Sequence, residues 1–388
     1  MNIDTGTIER TEVDATWPVV LGLVWLSILG AFVANVQPIF IGALSDSFSF
    51  NAQQLGFLAG IELGGAALAS ICAVYWFSHV NLRKLAFCSM LVLIFGNLLT
   101  TWASNYPLLL VLRFLCGFLG GGVLYAMSVG LMGQLPNAER NMAIMVIGQV
   151  LSLAVGMVVL PMLIVNWQLA GMTFTMTLLY STGLLLFAFI PSHSANQENC
   201  VDKENDKKVI RWLPSGLIFS VLLFNIALGC LWVFLERIGN NNGFSLSNIG
   251  NALAIGGFIG GAGAILPALF GKKFGRLLPL ITGLVGQIFV CFLLVSRDDW
   301  ASYLLAVSLF NLFWNLVTPY LFGAIAKVDS SGRYMVLIPA AQAGGMAIGP
   351  VLAGMFIIGD SYSTAAWVSM ATFALCLLLT VPLFRRIS

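Results

Sequence analysis

Twelve long apolar runs, separated by short polar or charged breaks, constrain this chain more than any other feature. They cover approximately Trp17 to Leu44, Leu55 to Phe77, Leu85 to Ala103, Pro107 to Met132, Met142 to Val165, Leu169 to Ile190, Leu213 to Leu235, Ile249 to Phe270, Leu277 to Val295, Trp300 to Ala326, Tyr334 to Ile358 and Thr364 to Phe384. A helix needs about 20 mostly apolar residues to cross a bilayer, and within lipid only helices and closed barrels satisfy their backbone. Barrel strands would alternate apolar and polar residues in segments of about ten; these runs are apolar on all sides. The pattern predicts an all-α polytopic membrane protein with twelve transmembrane helices. With 59% apolar and 9% charged residues in 388, a single soluble core could not bury the apolar surface. That excludes a soluble enzyme, a nucleic-acid binder and a disordered scaffold.

An even number of spans places both termini on one side, and lysine and arginine decide which. On the terminal side fall Arg10, Arg83, Lys84, Arg140, Lys203, Lys207, Lys208, Arg211, Lys272, Lys273, Arg276, Lys327, Arg333, Arg385 and Arg386; the other side has Arg237 and Arg297. Both termini are therefore expected in the cytoplasm, with the chain in the plasma (bacterial inner) membrane. The first run follows Asp4, Glu9, Glu12 and Asp14 rather than a basic leader, so it is expected to be retained. The seven cysteines show no metal-ligand spacing, and His79 and His193 lie in loops without a nucleophile partner. No cofactor, metal or enzymatic activity is expected, and without a phosphate-binding loop ATP is not the direct energy source.

The charged stretch from Ser192 to Arg211 reads as a linker between two halves. The expected division is 1–191, an N-terminal six-helix bundle; 192–211, a cytoplasmic linker; and 212–388, a C-terminal six-helix bundle. The halves repeat. Phe50, Leu55 and Gly56 fall on Phe244, Ile249 and Gly250 at a shift of 194; Arg140, Met142, Gln149 and Gly156 fall on Arg333, Met335, Gln342 and Gly349 at a shift of 193.

With these features the chain resembles the major facilitator superfamily of secondary transporters. The loop after the second span, Ser78-His79-Val80-Asn81-Leu82-Arg83-Lys84, keeps the basic end of the family's loop signature. Its counterpart, Gly271-Lys272-Lys273-Phe274-Gly275-Arg276, keeps the basic, aromatic, Gly, Arg core; both lack the acid. Arg113, Gly117 and Gly121 resemble the fourth-span pattern, and Gly345, Gly349, Pro350 and Gly354 are similar to a Gly-Pro pattern that antiporters place in the fifth span, where this chain has Gly148, Gly156 and Pro161. The resemblance implies two pseudo-symmetric six-helix bundles working by alternating access about a midplane site, with Arg83, Lys84, Lys273, Gly275 and Arg276 as gating-loop residues.

Two ionisable residues lie well inside spans, Glu62 and Arg113. A charge at the membrane centre costs roughly 2.5–3.5 kcal/mol on insertion scales, so such groups are paired and functional by default. Counting along each helix at about 1.5 Å per residue puts both at similar depth, and in the resembled family their spans are neighbours. Glu62 is read as a proton acceptor tuned by Arg113, since burial disfavours and a nearby guanidinium favours an ionised carboxylate. The competing readings are a permanent structural ion pair and, for Arg113, a ligand for an anionic substrate. Asp46, Glu236, Arg237, Asp298, Asp299 and Asp360 are read as solvated helix ends.

The resemblance implies that the first, fourth, seventh and tenth spans line a cavity. Asn35, Gln37, Gln149, Asn225, Trp232, Asn311, Trp314, Asn315 and Gln342 are its expected lining. Amides and aromatics with one arginine suit a small organic solute. The expected function is proton-coupled export of a drug or metabolite by a chain working as a monomer. The alternatives are proton-symport uptake of an organic acid and, more distantly, a non-transporting receptor.

Overall fold

A computed structural model describes residues 17–103, 105–193, 212–270, 275–329, 334 and 337–387. Among the described residues the elements are helical, and each of the twelve runs lies on a helix. The first half holds α1 (Trp17–Phe48), α2 (Ala52–Trp76), α3 (Leu82–Trp102), α4 (Tyr106–Gln134), α5 (138–167) and α6 (169–186). The second holds α7 (Leu213–Trp232), α8 (Leu246–Phe270), α9 (Leu277–Ser296), α10 (Trp300–Val328), α11 (Ile338–Phe356) and α12 (Ser363–Arg385). Among the described residues, ten helices, with Arg140–Phe189 taken as one, are long and apolar enough to cross a membrane. The linker from 194 to 211 lies outside the described residues.

Helix starts follow from side-chain caps that satisfy free backbone N–H groups. Asn51 accepts from the Gln54 N–H at 2.9 Å while the Gln54 side chain accepts from the Asn51 N–H at 3.1 Å, a capping box at the head of α2. Asn105 caps α4 through the Leu108 N–H at 2.9 Å, with Pro107 in the first turn. Asp299 caps α10, and the hydrogen bonds it accepts from Ser302 hold its carboxyl below the usual range.

Three departures from the expected boundaries have local causes. The loop expected near Asn166 is one residue, Gln168, at φ 52 and ψ −141, which reverses an otherwise continuous helix. The seventh run ends at Trp232, and a separate short helix, Leu235–Asn241, follows a turn. The eleventh begins at Ile338 rather than Tyr334.

Glycines set how the halves meet. A Cβ on Gly56 or Gly60 of α2 would collide with the Pro350 or Ala347 carbonyl of α11, and one on Gly354 with Ala52. Across the second seam, Gly250 and Gly257 of α8 meet Met157 and Leu153 of α5. Small residues at these crossings allow backbone approach that larger side chains would prevent. These contacts gather toward the end of the molecule opposite the chain termini, where α1 also reaches the second half: Trp232 donates to the Ala34 carbonyl at 3.1 Å.

Candidate functional site

Arg113 is wholly buried and Glu62 is 5% exposed. Arg113 Nη1 and Glu62 Oε1 are 3.5 Å apart, long against the roughly 2.7–2.9 Å of a charge-assisted bond. The guanidinium is held chiefly by neutral acceptors. Nη2 donates to Thr100 Oγ1 at 2.7 Å, the Gly96 carbonyl at 3.1 Å and Cys116 Sγ at 3.3 Å; Nη1 also donates to Asn97 Oδ1 at 3.4 Å. Phe40 of α1 lies beneath it, 5.3 Å from ring centroid to Cζ, an arrangement that favours a cation. Arg113 would therefore keep most of its partners if Glu62 lost its charge.

The backbone beside this cluster is unusual. Residues Cys116–Gly122 form a π-helical segment inside α4, a geometry often found at functional sites. Its glycines put bare backbone against three neighbouring helices: a Cβ on Gly117 would meet the Glu62 carbonyl of α2, on Gly122 the Ala66 Cα of α2, on Gly121 the Gly30 carbonyl of α1, and on Gly120 the Leu93 side chain of α3. Glu62 is thus fixed at its backbone by Gly117 and at its carboxylate by Arg113, four residues apart on one helix. The repeat positions of the ion pair, Gly256 and Val307, also touch, the built Cβ of Gly256 lying 2.9 Å from Val307 Cγ1. The same crossing in the second half carries no charge.

A second ionic cluster corrects the expectation of solvation for Glu236 and Arg237, while Asp46, Asp298, Asp299 and Asp360 are exposed. Glu236 is wholly buried and Arg237 is 7% exposed. Arg237 Nε donates to Glu236 Oε2 at 2.6 Å and Nη2 to Glu236 Oε1 at 3.0 Å; toward the other half, Nη1 donates to Asp46 Oδ1 at 2.6 Å and Nη2 to Asp46 Oδ2 at 3.1 Å. One guanidinium binds a carboxylate from each half.

Eight of the nine expected lining residues fall into two groups, and the ninth, Trp232, is buried. Gln37 is buried and donates to the Ala59 carbonyl on α2 at 3.3 Å; Asn225 donates to Val221 at 2.9 Å and faces Gly345 of α11; Asn311 donates to Val307 at 3.0 Å and faces Gly256 and Gly260 of α8. These three amides lie in helix–helix contacts. Asn35, Gln149, Trp314, Asn315 and Gln342 are half-buried. Trp232, Phe310 and Trp314 form an aromatic group: Trp232 stacks on Phe310 with centroids 6.2 Å apart and meets Trp314 edge-on at 6.0 Å.

In the loops, Arg83 Nε donates to the Ile190 carbonyl at 2.9 Å and Arg276 Nη1 to the Gly323 carbonyl at 3.0 Å, each within its own half. Lys84 is exposed, Gly275 takes φ +64, and Lys273 lies outside the described residues. Sequence reasoning missed the neutral partners of Arg113. Asn97 and Thr100 stand one helical turn apart on α3, which was a readable signal.

A membrane protein that is helical among its described residues, in two repeat-related halves, has the architecture of a secondary transporter. The chain belongs to the Major Facilitator Superfamily, whose family model matches residues 22–319. Its fold is similar to a single-site variant of the nucleoside transporter NupG, at 12% identity and TM-score 0.75 over 94% of this chain and 100% of that one. It is also similar to a variant of the peptide transporter POT, at 12% identity and TM-score 0.74 over 95% and 94%. A bacterial homolog of the human lysosomal transporter Spinster, inward-facing and unoccupied, matches at 14% identity and TM-score 0.70 over 94% of each chain.

Proposed function

We propose that this transporter couples export of a small organic solute to proton entry, with Glu62 as the proton-binding group and Arg113 as its fixed counter-charge. One observation carries the reading: Nη1 and Nη2 of the guanidinium hold Thr100, Gly96, Asn97 and Cys116 at 2.7–3.4 Å against 3.5 Å to Glu62, so these bonds stay in place when Glu62 takes up a proton. Protonation removes the ionic attraction between α2 and α4. Because Gly56 and Gly60 of the same α2 form the seam with α11, a shift of α2 reaches the contact between the halves.

The excess of lysine and arginine in the loops on the terminal side supports cytoplasmic termini in a plasma or bacterial inner membrane. The Asp46–Arg237 contact then closes the external face. The solute site falls between the halves near Asn35, Gln149, Trp314, Asn315 and Gln342, where amides beside indole suit an aromatic or heteroaromatic compound. The nucleoside and peptide transporters among its structural neighbours fit a polar organic cargo. The test is solute movement in proteoliposomes under an imposed pH gradient: Glu62→Gln should abolish gradient-driven accumulation while leaving solute exchange intact.

A further inference from the structure

Tyr180 of α6 is wholly buried, and its hydroxyl has no hydrogen-bond partner. A buried hydroxyl left unpaired costs stability that a phenylalanine of the same shape would not, so the group points to a second arrangement of the side chains around it. The helix is set against α3 at two levels: the hydroxyls of Thr173 and Thr101 are 2.7 Å apart, and a Cβ on Gly183 would lie 3.0 Å from Met90 Sδ. Between those contacts α3 carries Gly96, Asn97 and Thr100, which hold Arg113, and α6 carries Tyr180. Glu62, Arg113 and Cys116 lie within electrostatic range of the Tyr180 hydroxyl and are its ionisable neighbours among the described residues. Phe40, Asn97 and Thr100, which α1 and α3 bring to the cluster, are neutral.

The two forms of Glu62 need different partners, a point that rests on the reading of Glu62 as the proton-binding group. Ionised, the carboxylate is an acceptor and lies 3.5 Å from Arg113 Nη1, with the tyrosine hydroxyl unused. Protonated, it carries an O–H that must donate, and a guanidinium has nothing to accept with. Asn97 Oδ1 and Thr100 Oγ1 already accept from Arg113, and Arg113 Nε, buried and unbonded, is itself a donor. The Tyr180 oxygen has both lone pairs unused.

We propose that Tyr180 is the positioning residue of the coupling proton: its hydroxyl oxygen accepts the O–H of protonated Glu62, so that the neutral acid turns from Arg113 on α4 to α6. The hydrogen bond favours the protonated form alone, because the carboxylate is served by Arg113.

Infrared titration of the purified full chain tests this without a solute, through the carbonyl stretch of the protonated carboxyl; Glu62 is assigned as the band that Glu62→Gln removes. In wild type the band should grow as pH falls. Tyr180→Phe should move its midpoint to lower pH by about one unit, a tenfold loss of proton affinity. The same variant should unfold at the wild-type temperature or above it, because the hydroxyl it removes is unbonded. An unchanged midpoint would overturn the proposal while the proton reading stands, and would pass the role to Gln37, which donates to Ala59 one turn before Glu62 and whose Oε1 is unbonded. A midpoint moved to higher pH would overturn it as well, since the hydroxyl would then serve the carboxylate; so would a clear loss of stability, which would show the hydroxyl already bonded. A wild-type chain without a Glu62 band at any pH would instead remove the proton reading, and this proposal with it.

Discussion

Arg237 of the second half and Asp46 of the first are joined by two hydrogen bonds, 2.6 and 3.1 Å, while Glu236 occupies the rest of the guanidinium from behind. The arrangement makes the two carboxylates unequal. Asp46, with a side chain 56% exposed, can release Arg237 into water; Glu236 cannot, because its side chain is wholly buried.

Asp46→Asn should therefore fold normally and loosen the contact between the halves. With Asn35→Cys as the reporter in a chain cleared of its native cysteines, a membrane-impermeant thiol reagent added outside should label the Asp46→Asn variant several-fold faster. An unchanged rate would mean that Arg237 and Asp46 do not hold that face shut. Arg237→Ala strips a buried carboxylate of its partner and should lower stability by about 3–5 kcal/mol, read as a fall in thermal unfolding temperature.

Arg113→Lys tests whether the anchor needs a planar fork. An ammonium cannot reproduce the spread of guanidinium bonds to Thr100, Gly96, Asn97 and Glu62. Both solute exchange and gradient-driven accumulation should fall about tenfold or more, which radiolabelled counterflow would measure. Wild-type exchange in this variant would show that charge alone suffices.

Two glycines offer a paired test of the helix crossings. Gly117→Ala places a methyl group against the Glu62 carbonyl, where backbone on both sides cannot yield, and should cost about 1–3 kcal/mol. Gly261 of α8 has open space where a Cβ would be, so Gly261→Ala should be neutral or stabilise by up to about 1 kcal/mol. Thermal unfolding in one detergent compares them; equal shifts would contradict the packing described.

The depth match of Glu62 and Arg113 was legible because charges within apolar runs are costly and rare, and helical rise converts sequence position into depth. The repeat also held at this level, since the shift that relates the halves brings Gly256 against Val307. The neutral partners of Arg113 were harder to see: Asn97 and Thr100 are inexpensive in a helix and look like ordinary packing. The π-helical segment has no one-dimensional signature, because its hydrogen-bond register answers to α1, α2 and α3 pressing on the glycines. Glu236 and Arg237 were misread since adjacent charges at the end of an apolar run resemble a solvated loop. The packing of α1 at Gly42 against both side chains removes them from water.

The central claim is that Glu62 carries the coupling proton. The most direct measurement is solute accumulation by purified Glu62→Gln protein in proteoliposomes, with and without an imposed pH gradient, beside solute counterflow in the same vesicles. The account predicts that the variant exchanges solute at a rate within a few-fold of wild type and accumulates none when the gradient is applied. Gradient-driven accumulation equal to wild type would contradict it and leave Glu62 and Arg113 as a structural pair.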